Sequence, residues 1–204
     1  MTLRVGITGG MGSGKSTVGA IFGVLGIPVY RADDAAKLLM GTDPEVIAAV
    51  TGLFGENAYI NGSLNRRLLS ETVFGDPAKL AALNAIIHPV TIRDAQHWME
   101  QQQGPYAVKE AAILFESGAQ QLLDFVIGVY APPVLRVQRS MQRDGLTREA
   151  VLQRMDRQLD ESLKMKLCDA VIVNDELQAL LPQVLRLHQQ LTEMAGHAVH
   201  PPRL

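Results

Sequence analysis

Apolar residues in this chain fall into two alternating patterns. Short runs from Leu3 to Ile7, Ile27 to Tyr30, Tyr106 to Val108 or slightly beyond, Phe125 to Tyr130 and Ala170 to Val173 read as strands. Between them apolar positions recur at helical spacing, as at Val18, Ile21, Phe22 and Leu25. Gly26 with Pro28 ends the first helix and starts the second strand, and Gly104-Pro105 ends a long helical stretch in the same way. Strands alternating with helices predict an α/β fold, a five-stranded parallel sheet flanked by helices on both faces.

Between about residue 40 and residue 103 no strand candidate of comparable strength appears. Asp43-Pro44 opens a helix with an N-cap and a proline at the first helical position, and Asp76-Pro77 repeats that signature ahead of Leu80, Leu83, Ile86 and Ile87. The stretch reads as a helical insertion between the second and third strands. Helical spacing fits either an acceptor-binding lobe or structural cover for the sheet. The last residues, Gly196 to Leu204, read as a frayed tail.

Composition narrows this picture little. The 204 residues suit one α/β domain with a modest insertion, and 47% hydrophobic with 20% charged residues is ordinary for a soluble protein. A net charge of −2 gives no basic footprint for nucleic acid. The single cysteine, Cys168, forms no internal disulfide and fits a reducing compartment. No basic-then-apolar leader opens the chain, and no run reaches the roughly 18 apolar residues of a membrane span. The expectation is a soluble, cytoplasmic protein with no membrane partner; nothing in the sequence sets its oligomeric state.

Residues Gly9-Gly10-Met11-Gly12-Ser13-Gly14-Lys15-Ser16 change the picture most. They match the Gly-x-x-x-x-Gly-Lys-Ser/Thr phosphate-binding loop, set between the first strand and the first helix. Its glycines let the backbone aim successive N–H groups inward, forming an anion nest capped by the positive end of the helix. The ligand class follows: a nucleoside triphosphate with its magnesium. Gly12, Ser13 and Gly14 cradle phosphates, Lys15 reaches the β- and γ-phosphates, the Ser16 hydroxyl ligates magnesium, and Thr17 can meet the α-phosphate.

Two further groups suit phosphoryl transfer. Arg136, Arg139, Arg143, Arg148, Arg154 and Arg157 lie on helical segments broken by Asp144-Gly145. Arg139 and Arg143 are four apart, share a helix face and can converge on one anion, where arginines stabilise the charge of a transferring phosphoryl group. The other arginines read as a solvated face with salt bridges to Glu149, Asp156 and Asp160. Asp33 and Asp34 follow the second strand, at the carboxyl end of the sheet where such folds place ligands. A carboxylate there can take the proton of an incoming hydroxyl or hold a magnesium-bound water; Asp33 can equally be the N-cap of a helix beginning at Ala35. Spacing alone prefers neither aspartate.

The chain resembles the dephospho-CoA kinase family. The residues that carry the likeness are Gly6-Ile7-Thr8-Gly9-Gly10-Met11-Gly12-Ser13-Gly14-Lys15-Ser16-Thr17, Leu25-Gly26-Ile27-Pro28-Val29 with Ala32-Asp33, and Gly62-Ser63-Leu64-Asn65-Arg66. They continue through Leu83-Asn84-Ala85-Ile86-Ile87-His88-Pro89, Leu114-Phe115-Glu116-Ser117-Gly118, Arg139 to Thr147, Gln158 and Asp169 to Asn174. The loop is shared by many kinases; the Leu-Asn…His-Pro and Leu-Phe-Glu segments are far more specific. The resemblance implies transfer of the ATP γ-phosphoryl group to the ribose 3′-hydroxyl of dephospho-CoA, with magnesium. It also implies a P-loop kinase core (about 1–39, 104–135 and 168–195), a helical acceptor-binding insertion (about 40–103) and a lid (about 136–167), all within a single unit of residues 1–204. By motif, Asp33 is the carboxylate that orients or deprotonates the acceptor hydroxyl. Arg66 and His88 belong to the acceptor lobe, Arg139 and Arg143 to the lid, and Asn174 to the adenine pocket.

Bland readings stand beside these. His88 before Pro89 can cap or end a helix segment, Asn174 suits an ordinary turn, and Glu116 either joins the magnesium site or starts a helix. Two positions depart from the family pattern. Arg31 stands where many relatives carry an aspartate, and Ala112 where many carry a proline. Lys109-Glu110, near a strand end, can join the active site with no specific role assigned to either, and Arg31 receives no role. The nearest rival is another small-molecule kinase, acting on a nucleotide, sugar or shikimate-like acid. A nucleotide-dependent switch is disfavoured, since Asn174 is followed by Asp175-Glu176-Leu177 and not by a guanine-reading Asn-Lys-x-Asp.

Overall fold

A computed structural model of the chain describes residues 2–74 and 76–199. These form two compact units, one of the described residues up to 31 and from 98 onward, the other of those between 32 and 97. The second unit covers most of the predicted insertion, with boundaries at 32 and 97 in place of about 40 and 103.

The first unit is built on β1 (Leu3–Thr8), β2 (Val29–Arg31), β5 (Tyr106–Glu110), β6 (Phe125–Tyr130) and β7 (Ala170–Val173). They make one five-stranded sheet in the order β2-β5-β1-β6-β7, every pairing parallel. The order places β1 in the centre, so the loop that leaves it at Thr8 emerges between the carboxyl ends of β5 and β6. Helices α1 (Lys15–Val24) and α9 (Leu180–Val199) cover one face. There Val5, Ile7, Val108, Ile127 and Ile172 of the sheet pack against Val18, Phe22, Val184, Leu187 and Leu191, all buried. Phe22 meets Tyr106 edge to face, ring centroids 6.1 Å apart, and the Tyr106 hydroxyl bonds His188 Nδ1 at 2.6 Å. Helices α6 (Pro133–Asp144), α7 (Arg148–Met155) and α8 (Glu161–Lys166) lie between β6 and β7 in the chain. Gly145, with φ 64°, ends α6 in the left-handed conformation that the predicted break at Asp144-Gly145 requires.

The second unit contains α2 (Ala32–Thr42), α3 (Pro44–Phe54), α4 (Arg66–Phe74) and most of α5 (Pro77–Glu100). Its own core joins Val46, Val50, Ala58, Leu69, Leu83 and Ile87. Asp43 caps α3 by accepting from the N–H groups of Glu45 and Val46. Asp76 does the same for α5 through Ala78 and Lys79.

Four expectations change. A small antiparallel hairpin, β3 (Tyr59–Ile60) with β4 (Ser63–Leu64), stands where no strand candidate appeared. Two-residue strands are too short for a hydrophobic period, although Asn61 and Gly62 at φ 51° and 75° are the residues a tight hairpin turn wants. Helix α5 continues through Pro89, so His88 neither caps nor ends it. Helix α2 begins at Ala32, which makes Asp33 its second residue and not the cap of a helix at Ala35. Helix α9 carries through Gly196 to Val199, while the rest of the expected frayed tail, 200–204, lies outside the described residues.

Candidate active site

The loop between β1 and α1 turns on glycines that only glycine could fill. Gly12 has φ 78°, and a Cβ there would run into the Arg136 backbone carbonyl. Gly14 has φ 97° and starts α1; a Cβ on it would strike the Asn174 side-chain amide. Lys15 curls back over the turn, its Nζ donating to the Gly10 carbonyl at 3.2 Å. A cleft of about 270 Å³ opens at the loop, lined by Gly12, Gly14, Lys15, Ser16, Thr17, Arg139 and Arg143. The phosphate-loop residues named from sequence, Ser13 excepted, and the two arginines therefore share one cavity. Ser13 is buried behind it, its N–H donating to the Gly10 carbonyl at 3.1 Å.

Both arginines are held by carboxylates near the surface. Arg139 Nη1 donates to the Asn174 carbonyl at 3.2 Å and its Nη2 to Glu176 Oε1 at 2.9 Å. Arg143 makes a two-pronged pair with Asp144 at 2.8 and 2.9 Å, and that hydrogen bonding holds the Asp144 carboxyl below its ordinary range. Ion pairs near the surface, such as these, contribute about 0–1 kcal/mol each. Asn174 also donates through Nδ2 to the Ser13 carbonyl at 2.8 Å, pinning the loop to the end of β7.

Glu110, at the carboxyl end of β5, lies beside the loop. The Ser16 hydroxyl donates to its Oε1 at 2.6 Å, and its Oε2 is buried with no hydrogen-bond partner. The sequence offered Glu110 to the active site without a specific role. The available signal was an acidic residue ending an apolar strand, and only the pairing of β5 with β1 brings it to Ser16. Lys109, next to it, points its side chain into the protein interior, where burial pulls the ammonium below its ordinary value.

The outer side of the loop is clamped by residues that follow α7. Met11 N–H donates to Gln158 Oε1 at 2.9 Å, and Gly10 N–H to Glu161 Oε1 at 3.3 Å. Arg136, read from sequence as solvated, is only 4% exposed. Its Nε donates to the Met11 carbonyl at 3.0 Å and its Nη1 pairs with Glu161 Oε2 at 3.2 Å. Burial pulls this guanidinium below its ordinary value, against the opposing attraction of Glu161.

Glu116 lies in a turn and does not start a helix. It accepts from the fully buried Lys164 Nζ at 2.9 Å and from Leu159 N–H at 2.9 Å, while Lys164 also donates to the Ala112 carbonyl at 3.0 Å. Burial alone would raise the Glu116 carboxyl; the Leu159 and Lys164 bonds outweigh it, and the net shift is downward. A lowered carboxyl contributes stability that is complete above its unfolded value, near 4.5, and is lost as pH falls through the folded value. Glu116→Gln is therefore expected to lower the melting temperature at pH 7, and the gap to the parent should narrow as the pH is taken below about 4. A gap that stays constant with pH would contradict this. Cys168 is no candidate nucleophile, because burial pushes its thiol up to about 12.

Three sequence-named residues belong to the second unit. Asp33 is exposed in the first turn of α2, where the helix dipole favours a carboxylate. Its neighbour Asp34 is tied to Lys37 at 3.1 Å, which separates the two aspartates as spacing could not. Arg66 is exposed at the start of α4, whereas Arg67 pairs with Glu71 at 2.9 Å. His88 is half-buried on α5, and burial lowers its pKa.

Comparison with known proteins agrees with this geometry. The family model described as dephospho-CoA kinase matches residues 3–179. The dephospho-CoA kinase of Porphyromonas gingivalis is 41% identical over 186 residues, covering 91% of this chain and 92% of that protein. The corresponding protein of Bacteroides fragilis is 37% identical over 188 residues, 92% of each. The solved dephospho-CoA kinase from Campylobacter jejuni superposes with a TM-score of 0.69 at 26% identity, over 95% of this chain and 99% of that one. With the phosphate loop, the parallel sheet and a match over nearly its whole length, the chain belongs to the dephospho-CoA kinase family.

Proposed function

We propose that the chain transfers the γ-phosphoryl group of ATP to the ribose 3′-hydroxyl of dephospho-CoA, the last step of coenzyme A synthesis. The observation that carries this is the cleft in which Lys15, Ser16, Arg139 and Arg143 meet, in a chain of this family. In this reading Gly12, Ser13, Gly14 and Thr17 hold the phosphates, with the adenine beside Asn174. Lys15 neutralises charge on the β- and γ-phosphates, and Arg139 and Arg143 exchange their carboxylate partners for the transferring group. Residues 136–167 act as a lid that excludes water as a competing acceptor.

Magnesium suits the donors present. Ser16 and Glu110 offer only oxygen, and Glu110 Oε2 is a buried acceptor lacking a hydrogen bond. Ser16 and Glu110 would hold the ion, which would supply charge neutralisation to the phosphates. Among the described residues no group of three or more His, Cys, Asp or Glu side chains could form an all-protein cage, in keeping with an ion shared with nucleotide phosphates.

Asp33 orients the acceptor hydroxyl and takes its proton, and Arg66 and His88 bind the acceptor from the insertion. No described helix is long and apolar enough to cross a membrane, and the lone Cys168 suits a reducing compartment; we read the enzyme as cytoplasmic.

The test is ADP release from ATP and magnesium with and without dephospho-CoA, with the acceptor followed by mass. Turnover should depend on dephospho-CoA, whose mass should rise by one phosphoryl group. Asp33→Ala should lower kcat by roughly 10²–10⁴-fold in a folded protein. Unmodified dephospho-CoA under conditions where ATP binds would overturn the acceptor, and near-normal turnover of Asp33→Ala would remove that residue from the mechanism.

A further inference from the structure

Glu110 is a buried carboxylate with two unlike oxygens. Oε1 accepts the Ser16 hydroxyl at 2.6 Å, while Oε2 has no hydrogen-bond partner. An ionised carboxylate placed this way needs a counter-charge. Arg31, the last residue of β2, holds its Nε 3.9 Å from Oε2. The approach is built into the sheet, since Arg31 and Glu110 are direct partners in the parallel register of β2 and β5. At 3.9 Å the contact is a charge pairing and not a hydrogen bond, and the Arg31 side chain is 49% exposed, so it can swing into water. A divalent cation on Ser16 and Glu110 would bring a second positive centre to the same carboxylate.

We propose that Arg31 is a positioning residue whose guanidinium is the counter-ion that Glu110 exchanges for the metal. The proposal rests on the reading of Ser16 and Glu110 as the metal side of the cleft. Without metal, Arg31 neutralises Glu110 and keeps it facing Ser16. Metal entry displaces Arg31, so the pair sets the concentration of metal at which the site fills. Specificity of a second kind follows: a monovalent cation competes with the guanidinium on equal charge, whereas a divalent ion outcompetes it.

The experiment follows Mn²⁺ binding by electron paramagnetic resonance, with the full chain and ADP present and no acceptor. Arg31→Gln should tighten Mn²⁺ about three- to tenfold, since it removes the guanidinium that competes with the metal for the Glu110 carboxylate. Arg31→Lys, which keeps the charge, should stay near the parent. Glu110→Gln should weaken Mn²⁺, and adding Arg31→Gln to it should have no further effect, because the carboxylate through which Arg31 acts is gone. Thermal unfolding gives a second readout. Arg31→Gln should melt below the parent in EDTA, and the difference should close when Mn²⁺ and ADP are added.

Unchanged or weaker Mn²⁺ binding in Arg31→Gln, alongside weakened binding in Glu110→Gln, would overturn the role of Arg31 and leave the metal site standing. Mn²⁺ binding that ignores Glu110→Gln would overturn the metal site itself, and this proposal with it.

Discussion

Lys15→Ala is expected to fold normally and to lose roughly 10²–10³-fold in kcat, the loss found when one charge-stabilising donor is removed from a transition state. Folding should survive because the glycine-bearing backbone of the loop is held by other groups, namely Gln158, Glu161, Arg136 and Asn174. Turnover should not survive. The Nζ is the compact charge that the turn delivers from its position over Gly10, and nothing in alanine replaces it. Lys15→Arg should recover little, because a planar guanidinium is a larger and differently directed donor than an ammonium. Circular dichroism and a melting curve check the fold, and steady-state kinetics check turnover. A folded Lys15→Ala protein with parental kcat would remove this lysine from the chemistry.

The largest stability loss is expected at Arg136. Arg136→Met strips the partner from Glu161, whose side chain is 14% exposed, and the donor from the Met11 carbonyl. Removing one member of a buried ion pair costs about 3–5 kcal/mol. For a chain of this size each kcal/mol shifts the melting temperature by roughly 2–4 °C, so a fall of about 6–20 °C is expected. Much of that loss is the stranded charge of Glu161. Arg136→Met combined with Glu161→Gln, which keeps an acceptor for Gly10 N–H, should regain more than half of it. A double variant no more stable than the single would mean that the loss comes from packing and the Met11 bond and not from the unpaired carboxylate. A melting temperature within a few degrees of the parent for Arg136→Met would contradict the pair's structural role altogether.

These two residues mark how far the sequence could be read. Lys15 sits in a motif whose spacing carries its own geometry: four neighbouring glycines, a lysine and a hydroxyl between a strand and a helix can hardly be arranged otherwise. Arg136 looked like one more member of an arginine-rich helix. Helical spacing tells which residues share a face but not what that face meets, and here it meets the loop 125 residues earlier in the chain. The same limit explains Glu116, whose buried Lys164 partner is 48 residues away. Local patterns also failed where the element was too short to have a period, as in the two-residue strands β3 and β4. They failed again where tertiary packing overrode a local preference, as in the helix that runs on through Pro89.

What the sequence determined by itself is what short-range chemistry determines. Alternating runs gave five parallel strands and the helices between them, aspartate-proline pairs gave the starts of α3 and α5, and the glycine-lysine-serine loop gave a phosphate site. The tertiary structure alone decided which distant groups face that site. Strand order set β5 beside β1 and so brought Glu110 to Ser16, and β2 beside β5 and so brought Arg31 to Glu110. Burial decided which arginine is a clamp, Arg136, and which keep their ion pairs nearer the surface, Arg139 and Arg143. The physical reason is one of range: backbone conformation follows from neighbours a few residues away. Charge pairing and desolvation depend on distance through space, and that distance exists only once the sheet has assembled.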